Sequence, residues 1–477
     1  MEKYIDIHCH PALKPYSKSF SRGKVNSKRT TDKNSIWHYD PPTLADKLLN
    51  YVGTLTKFSQ SNFTALASGN VGVVCASLYA MEKGFLVPSF GPGTAADILS
   101  DFVMEIGKGR INQVQGAKDY FTDLEGEYKF YRDLHGLKIL MNRSDKFEYR
   151  LVKSFSEILE NEMSKDNIIS VVVTIEGGHA FDTGLGKFNA SPAKVLDNIQ
   201  KVKNWEYRPF FVTFAHHFYN DLVGQSASLA PILTKMLDQS QGLNTGFTDL
   251  GKKVLDTLLD NKDGKRIHVD IKHLSPLARK QYFEILDTKY AGEQIPIIIS
   301  HGAVNGYHSH DEKVVKIPSS MGMFNDGEIN FYDVEIVEMA KRGGILGIQM
   351  DERRLADMAL LKQIDGKVAR RKILYYRSKL FWNQVRHMAE VLDGAGHFAW
   401  GVQSVGTDFD GVVDPLNGFW TAEELPFLDD YLLKHAYNYM QTEGRNLKQA
   451  GNRNIDHEEI VSRVMTDNAY EFFRKYF

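Results

Sequence analysis

The residues of this chain best suited to chemistry are histidines and carboxylates: His8, His10, Glu176, His216, His217, His273, His301 and Asp408. Imidazole and carboxylate together, without a thiolate cluster, suit zinc or a related divalent ion such as manganese or cobalt. There are enough donors for two ions. Glu176 is the natural bridge, because a carboxylate has two oxygens to share. Two ions about 3.5–4 Å apart can hold a hydroxide between them, and zinc brings the pKa of bound water to about 7. Asp408 would accept that water's proton and pass it to a leaving group. The chemistry so described is hydrolysis of an amide or ester-like bond.

These side chains can act together only if the elements carrying them converge. Glu176 closes Val171-Val172-Val173-Thr174-Ile175, a β-branched run that reads as a strand buried on both faces. A charge is costly inside a core unless it is paired or bound to a metal. Glu176 therefore belongs at the mouth of a sheet, where the chain turns through Gly177-Gly178. Taken alone, a capping or salt-bridged glutamate explains it equally well. Tyr4–His10 alternates like a strand and puts His8 and His10 on one side. Further strands are read at Val71–Tyr79, Arg208–Ala215, Arg266–Ile271, Ile295–Ser300, Gly344–Met350 and Ala399–Val405. His216 and His217, His273, His301 and Asp408 each follow one of these strands.

Helices are read near Pro41-Pro42-Thr43 and over Asp97–Ile106, Arg150–Met163, Asp249–Asp260, Pro276–Leu286, Phe331–Lys341 and Tyr376–Leu392. The tail Thr421–Phe477 reads as helical and amphipathic. Short apolar strands separated by helices are the pattern of an α/β fold, a (β/α)8 TIM barrel, in which the strands' C-terminal ends meet at one mouth. The expectation is a single barrel domain over residues 1–477, with insertions at about 11–60, 107–150 and 302–329. For any one histidine a satisfied structural role is the commoner explanation. For all of them to fall at strand ends, a shared metal site explains more.

Composition sets the outer bounds. The chain has 477 residues, 43% hydrophobic and 25% charged, an ordinary globular balance with ample material for a core. A net charge of −2 gives no electrostatic case for nucleic acid or an anionic membrane. The two cysteines, Cys9 and Cys75, are no disulfide framework. The chain enters a strand at once, and no apolar run is long enough to span a bilayer. A soluble, cytoplasmic protein is expected. A homodimer is one arrangement that the aromatic tail (Tyr437, Tyr439, Phe472, Phe473, Tyr476, Phe477) could serve, although packing on the barrel is the simpler use.

Several blocks, in order, resemble the membrane (renal) dipeptidase family, a branch of the amidohydrolase-like barrels. They are Ile175-Glu176-Gly177-Gly178-His179, Val269-Asp270-Ile271-Lys272-His273-Leu274-Ser275, Ile299-Ser300-His301 and Gly406-Thr407-Asp408-Phe409-Asp410-Gly411. Gly246–Gly251, Leu66–Gly72 and Asp467–Phe473 add to the likeness, which spans nearly the whole chain. The resemblance implies a binuclear zinc metallopeptidase acting on a dipeptide-like small molecule. His8 and His10 would hold the first zinc, Glu176 would bridge, and His273 and His301 would hold the second. Asp408 would handle the proton. A histidine after the fourth strand would polarise the substrate carbonyl. His217-Phe218-Tyr219-Asn220 matches the family's His-x-x-Asn spacing, and His216 is its rival, since strand register decides which faces inward.

The chain departs from that pattern twice. It has His8-Cys9-His10 where the family usually has His-x-Asp. The family also places an arginine before an Asn-x-x-Asp to clamp the substrate carboxylate. Here Asn330-Phe331-Tyr332-Asp333 is preceded by Ile329, so Arg353 or Arg354 would have to supply the charge. The alternatives to a dipeptidase are therefore an amidohydrolase acting on an N-acyl amino acid, cyclic amide or lactone, or a non-catalytic barrel scaffold. His308-Ser309-His310 in the long loop could add a ligand, but reads more simply as solvated.

Overall fold

The computed structural model describes residues 3–53, 56–87, 105–141, 145–229, 233–366 and 369–477. Its strands are β1 (Tyr4–Cys9), β2 (Val71–Leu78), β3 (Ile139–Leu140), β4 (Lys146–Val152), β5 (Asn167–Glu176), β6 (Phe211–Thr213), β7 (His268–Asp270), β8 (Ile298–Gly302), β9 (Ile345–Ile348) and β10 (Gln403–Val405). Eight of them close a ring in the order β1, β2, β5, β6, β7, β8, β9, β10 and back to β1, every neighbouring pair parallel. This is the expected (β/α)8 barrel, and each run read as a strand supplies one member. Among the described residues, no helix is long and apolar enough to cross a membrane.

β5 has a double role. One side pairs with β2, and the other pairs first with β4 and then, at Ile175 and Glu176, with β6. The helix read over Arg150–Met163 is corrected here. Arg150–Val152 belongs to β4, and the helix is Phe155–Glu162. Lys146–Val152 alternates polar and apolar residues, a strand period, and β5 supplies the ladder it needs. The helix read over Asp97–Ile106 lies mostly outside the described residues, and a helix begins at Lys108. The helix near Pro41 is Leu44–Gly53.

Local chemistry starts the covering helices. Ser191, Thr248 and Ser275 each accept a backbone N–H three residues on, and prolines follow Ser191 and Ser275 at the first helical position. At the opposite end of the barrel from the histidines, Phe472 and Phe473 of the C-terminal helix Asn468–Tyr476 pack with Ile5, Val172, Phe210 and Ile345. Tyr437 stays half exposed. Cys9 and Cys75 are buried free thiols.

Two buried carboxylates brace the strand ends. Asp6 accepts from His8 N (3.1 Å), Thr407 N (3.0 Å) and Thr407 Oγ1 (2.6 Å), tying β1 to the turn after β10. Asp270 accepts from Lys272 N (3.0 Å), Ser300 N (3.1 Å), Ser300 Oγ (2.6 Å) and Thr213 Oγ1 (2.6 Å), tying β7 to β8 and β6. β8 is irregular between Ile299 and Gly302, where His301 sits. Glycines make room for that irregularity: a Cβ at Gly347 or at Gly406 would stand 2.1 Å from the Ser300 carbonyl oxygen.

Two stability measurements test this account. Removing the Ser300 hydroxyl (S300A) takes a donor from a buried carboxylate and is expected to cost about 1.5–3 kcal/mol in a denaturant titration. A loss near zero would mean that Asp270 does not depend on it. Buried Glu127, on the helix Phe121–Arg132, accepts from Tyr79 N (2.7 Å), while its Oε1 has no partner among the described residues. Burial pushes its carboxyl up to about 8. The folded chain therefore keeps a proton that the unfolded chain releases near pH 4.3, so this group's contribution to stability falls as pH rises from about 4 to 8. E127Q removes the titration. Its Tm is expected to gain on the wild type across that window, and parallel Tm–pH curves would refute the assignment.

Candidate metal centre

Glu176 stands at the end of β5, buried, at the centre of five imidazoles. His8 Nε2, His301 Nε2 and His273 Nε2 lie 3.6, 3.6 and 3.8 Å from its Oε1. His10 Nε2 and His216 Nε2 lie 2.9 and 3.5 Å from its Oε2. Asp408 completes the ring: its Oδ1 is 3.6 Å from both His8 Nε2 and His10 Nε2, and its Oδ2 is 3.9 Å from His301 Nε2. The residues that the sequence suggested as ligands thus arrive at one place from β1, β5, β8 and the segments after β7 and β10.

The rings are held from behind. His10 Nδ1 meets the Ser77 carbonyl (3.2 Å), and His301 Nδ1 meets Ser300 Oγ (2.9 Å). His8 stacks on His301 at 4.0 Å between centroids. Anchoring one ring nitrogen fixes where the other points, the usual arrangement behind metal-ligating histidines. His273 and Asp408 both have positive φ, 67° and 57°. Such backbone is uncommon outside glycine, although Asp and His adopt it more readily than most residues, and at both positions it places the side chain in the ring.

The electrostatics follow from crowding. Burial pushes the Glu176 carboxylate up, but His216, His10 and His8 outweigh it and hold it well below its ordinary range. Burial lowers His273, with His216 and His217 adding to it, and burial with His8 and Lys272 lowers His301. Among the described residues, buried His8 Nδ1, His8 Nε2 and His273 Nδ1 have no hydrogen-bond partner, while His10 Nε2 meets only the carboxylates of the ring, at 2.9 Å from Glu176 Oε2 and 3.6 Å from Asp408 Oδ1. Leaving buried polar atoms unpaired is expensive. Two donor atoms each about 2.0–2.2 Å from one ion stand about 3–3.6 Å apart, close to the spacings of this ring. Three groups have donor atoms mutually within 4.8 Å: His8, His10, Glu176 and Asp408; Glu176, His273 and His301; and His216, His217 and His273. The donor set fits divalent cations.

The two adjacent histidines part company. His216 presents Nε2 to Glu176, while His217 turns Nδ1 to Ser228 Oγ (2.6 Å). The arginines part as well. Arg353 forks onto Asp351, through Nε at 2.9 Å and NH2 at 2.5 Å. Arg354 donates to the Ser228 carbonyl, and its charge adds to the burial that lowers His217, His273 and Lys272. Asn330 is wholly buried and donates to the carbonyls of Asn325 (3.0 Å) and Arg354 (2.8 Å), so it holds the Arg354 backbone and does not join the ring. His310 is exposed and pairs with Asp311 and Glu328, while His308 is near Glu312.

Three residues at the site lie outside the set that the reading of the sequence singles out. Gln349 Nε2 donates to Asp408 Oδ2 (2.7 Å); a polar residue ending an apolar strand was a usable signal. Lys272 is buried with Nζ unpartnered, and burial and Arg354 lower it to about 7. It lies two residues beyond Asp270, so the strand period carried a hint. Glu82 accepts from His216 Nδ1 at 2.5 Å, and no pattern marks it.

No family model and no curated protein matches the chain. Solved structures do. The crystal structure of dipeptidase AC, a metallopeptidase, aligns over 100% of this chain and 98% of its own, at 10% identity and a TM-score of 0.52. A metallopeptidase from Rhodobacter sphaeroides, liganded with a phosphinate mimic of the dipeptide L-Ala-D-Ala, aligns over 100% and 99%, at 12% identity and a TM-score of 0.54. In fold, the chain is a closed parallel barrel similar, over its full length, to metallopeptidases of the dipeptidase type.

Proposed function

We propose that the protein is a metal-dependent hydrolase of the dipeptidase type, cleaving a small peptide or amide bond with two divalent ions, zinc foremost. The observation that carries this reading is the buried Glu176 carboxylate ringed by five imidazoles, several with unpartnered nitrogens. His8, His10, Glu176 and Asp408 would hold one ion, and Glu176, His273 and His301 the other. Such a pair, when bound, supplies an acidified water and positive charge for the carbonyl oxygen.

The chain's own residues do the rest. Asp408, with Oδ2 held by Gln349, takes up the proton of the attacking water at its carboxylate and returns it to the leaving nitrogen. His216, whose Nδ1–H is taken by Glu82, donates from Nε2 as the imidazolium, a form that Glu82 and Glu176 favour by raising its pKa against the pull of burial; that Nε2 faces the ring and meets the carbonyl oxygen as charge develops there. Arg354, beside His217 and Lys272, receives an anionic group of the substrate, whereas Arg353 is committed to Asp351. That cation comes from the segment after β9 and not from the residue before Asn330. It favours, as a second reading, an amide whose acidic group is placed differently from a dipeptide's, such as an N-acyl amino acid.

Metal analysis of protein purified without chelator is expected to give two equivalents per chain, falling below one in E176Q. Zero equivalents in the wild type would sink the hydrolase reading, and one would reduce it to a mononuclear site. Dipeptides of the L-Ala-D-Ala kind and N-acyl amino acids are the panels to compare. On the better substrate, R354M is expected to raise KM about 10–100-fold with a smaller change in kcat, the loss of one charged binding contact. An unchanged KM would remove Arg354 from the substrate site.

A further inference from the structure

We propose that Glu82 is a positioning residue that selects His216, and not its neighbour His217, to face the reacting carbonyl. The inference rests on the hydrolase reading above and adds to it a carboxylate outside the metal-binding ring. Glu82 follows β2 and is almost wholly buried. Its Oε2 takes His216 Nδ1 at 2.5 Å and the Tyr79 hydroxyl at 3.2 Å. Its Oε1 takes the backbone N–H of Phe218 at 2.9 Å. One carboxylate thus grips the segment after β6 twice, by the side chain of residue 216 and the backbone of residue 218. His217 lies between the two grips and is held elsewhere, by Ser228 Oγ at 2.6 Å, which Gln239 Nε2 in turn contacts at 2.6 Å.

The grip decides an ambiguity that strand geometry leaves open. β6 is only three residues long and ends at Thr213, so the ladder does not reach residues 216 and 217. Their orientation must come from side-chain contacts. With Nδ1 engaged by Glu82, the His216 ring can turn only its Nε2 edge toward Glu176, 3.5 Å away. The 5.0 Å edge contact with the Tyr79 ring closes the other side. β2 and β6 both neighbour β5, so the clamp spans the strand that carries Glu176.

The test uses the metal-loaded protein and two readouts. In the histidine 15N–1H spectrum, the wild type is expected to show one strongly downfield N–H resonance from His216 Nδ1, absent in both E82A and H216A. On the better substrate of the panels, E82A is expected to lose about 10–100-fold in kcat, the usual cost of removing such an orienting group, with little change in KM or metal content. The double variant E82A/H216A is expected to be no slower than H216A alone, because both changes remove one interaction. E82Q covers the case in which E82A does not fold. Its amide oxygen can serve the ring or the Phe218 N–H but not both, so a smaller loss is expected. Additive losses, an unchanged kcat in E82A and E82Q, or a downfield resonance surviving in E82A would overturn the proposal. Full kcat in H216A would remove the role of His216 and the positioning with it. The metal content judges the hydrolase reading separately.

Discussion

The structure depends on one electrostatic problem: a carboxylate buried at the end of a barrel strand. Desolvation alone would drive Glu176 to its neutral form. His216, His10 and His8 instead hold it ionised. The imidazoles divide in turn: burial pushes His273 and His301 toward neutrality, whereas Glu176 and Asp408 hold His10, and Glu82 and Glu176 hold His216, above the ordinary imidazole range against the pull of burial. Five imidazoles and two carboxylates make the ring a dense set of electron-pair donors, a composition that suits divalent cations. Its supports are carboxylates of a different kind. Asp6 and Asp270 are saturated by backbone and hydroxyl donors and hold strand ends, leaving Glu176 and Asp408 to face the centre.

Aiming the donors has a conformational cost that the barrel absorbs. His273 and Asp408 sit at positive φ, and His301 sits where β8 breaks register. Gly347 on β9 and Gly406 just past β10 leave room for the Ser300 carbonyl. The regular part of the barrel stabilises these irregularities: long pairing of β2 with β5, and a floor sealed by the aromatic C-terminal helix. Strain gathers at the mouth and regular packing lies below it, the division expected where rigid elements present a reactive site.

The positive charge at the mouth is distributed in a way that the residue types alone do not convey. Arg353 and Arg354 are adjacent and chemically identical, yet one is committed to Asp351 and the other lies beside His217 and Lys272. His216 and His217 repeat the pattern. In both pairs the distinction comes from partners outside the pair: Asp351 and Ser228 for the arginines, Glu82 and Ser228 for the histidines.

The sequence by itself determined the barrel and the membership of the ring. Eight apolar runs mark the strands because a parallel strand covered on both faces must be apolar along its length, and the side chains of the ring are legible because each ends such a run. The strand at Lys146–Val152 escapes a reading of the sequence because a strand outside the closed ring with one polar face carries a weaker signal, and its parallel partner β5 lies downstream. Orientation was not legible. Which of two adjacent histidines faces Glu176, which of two arginines reaches the Ser228 carbonyl, and that Glu82 touches the site at all are set by contacts between residues up to 136 positions apart. Such contacts exist only once the ring has closed, because closure, not local pattern, brings the segments after β2, β6 and β9 to one mouth.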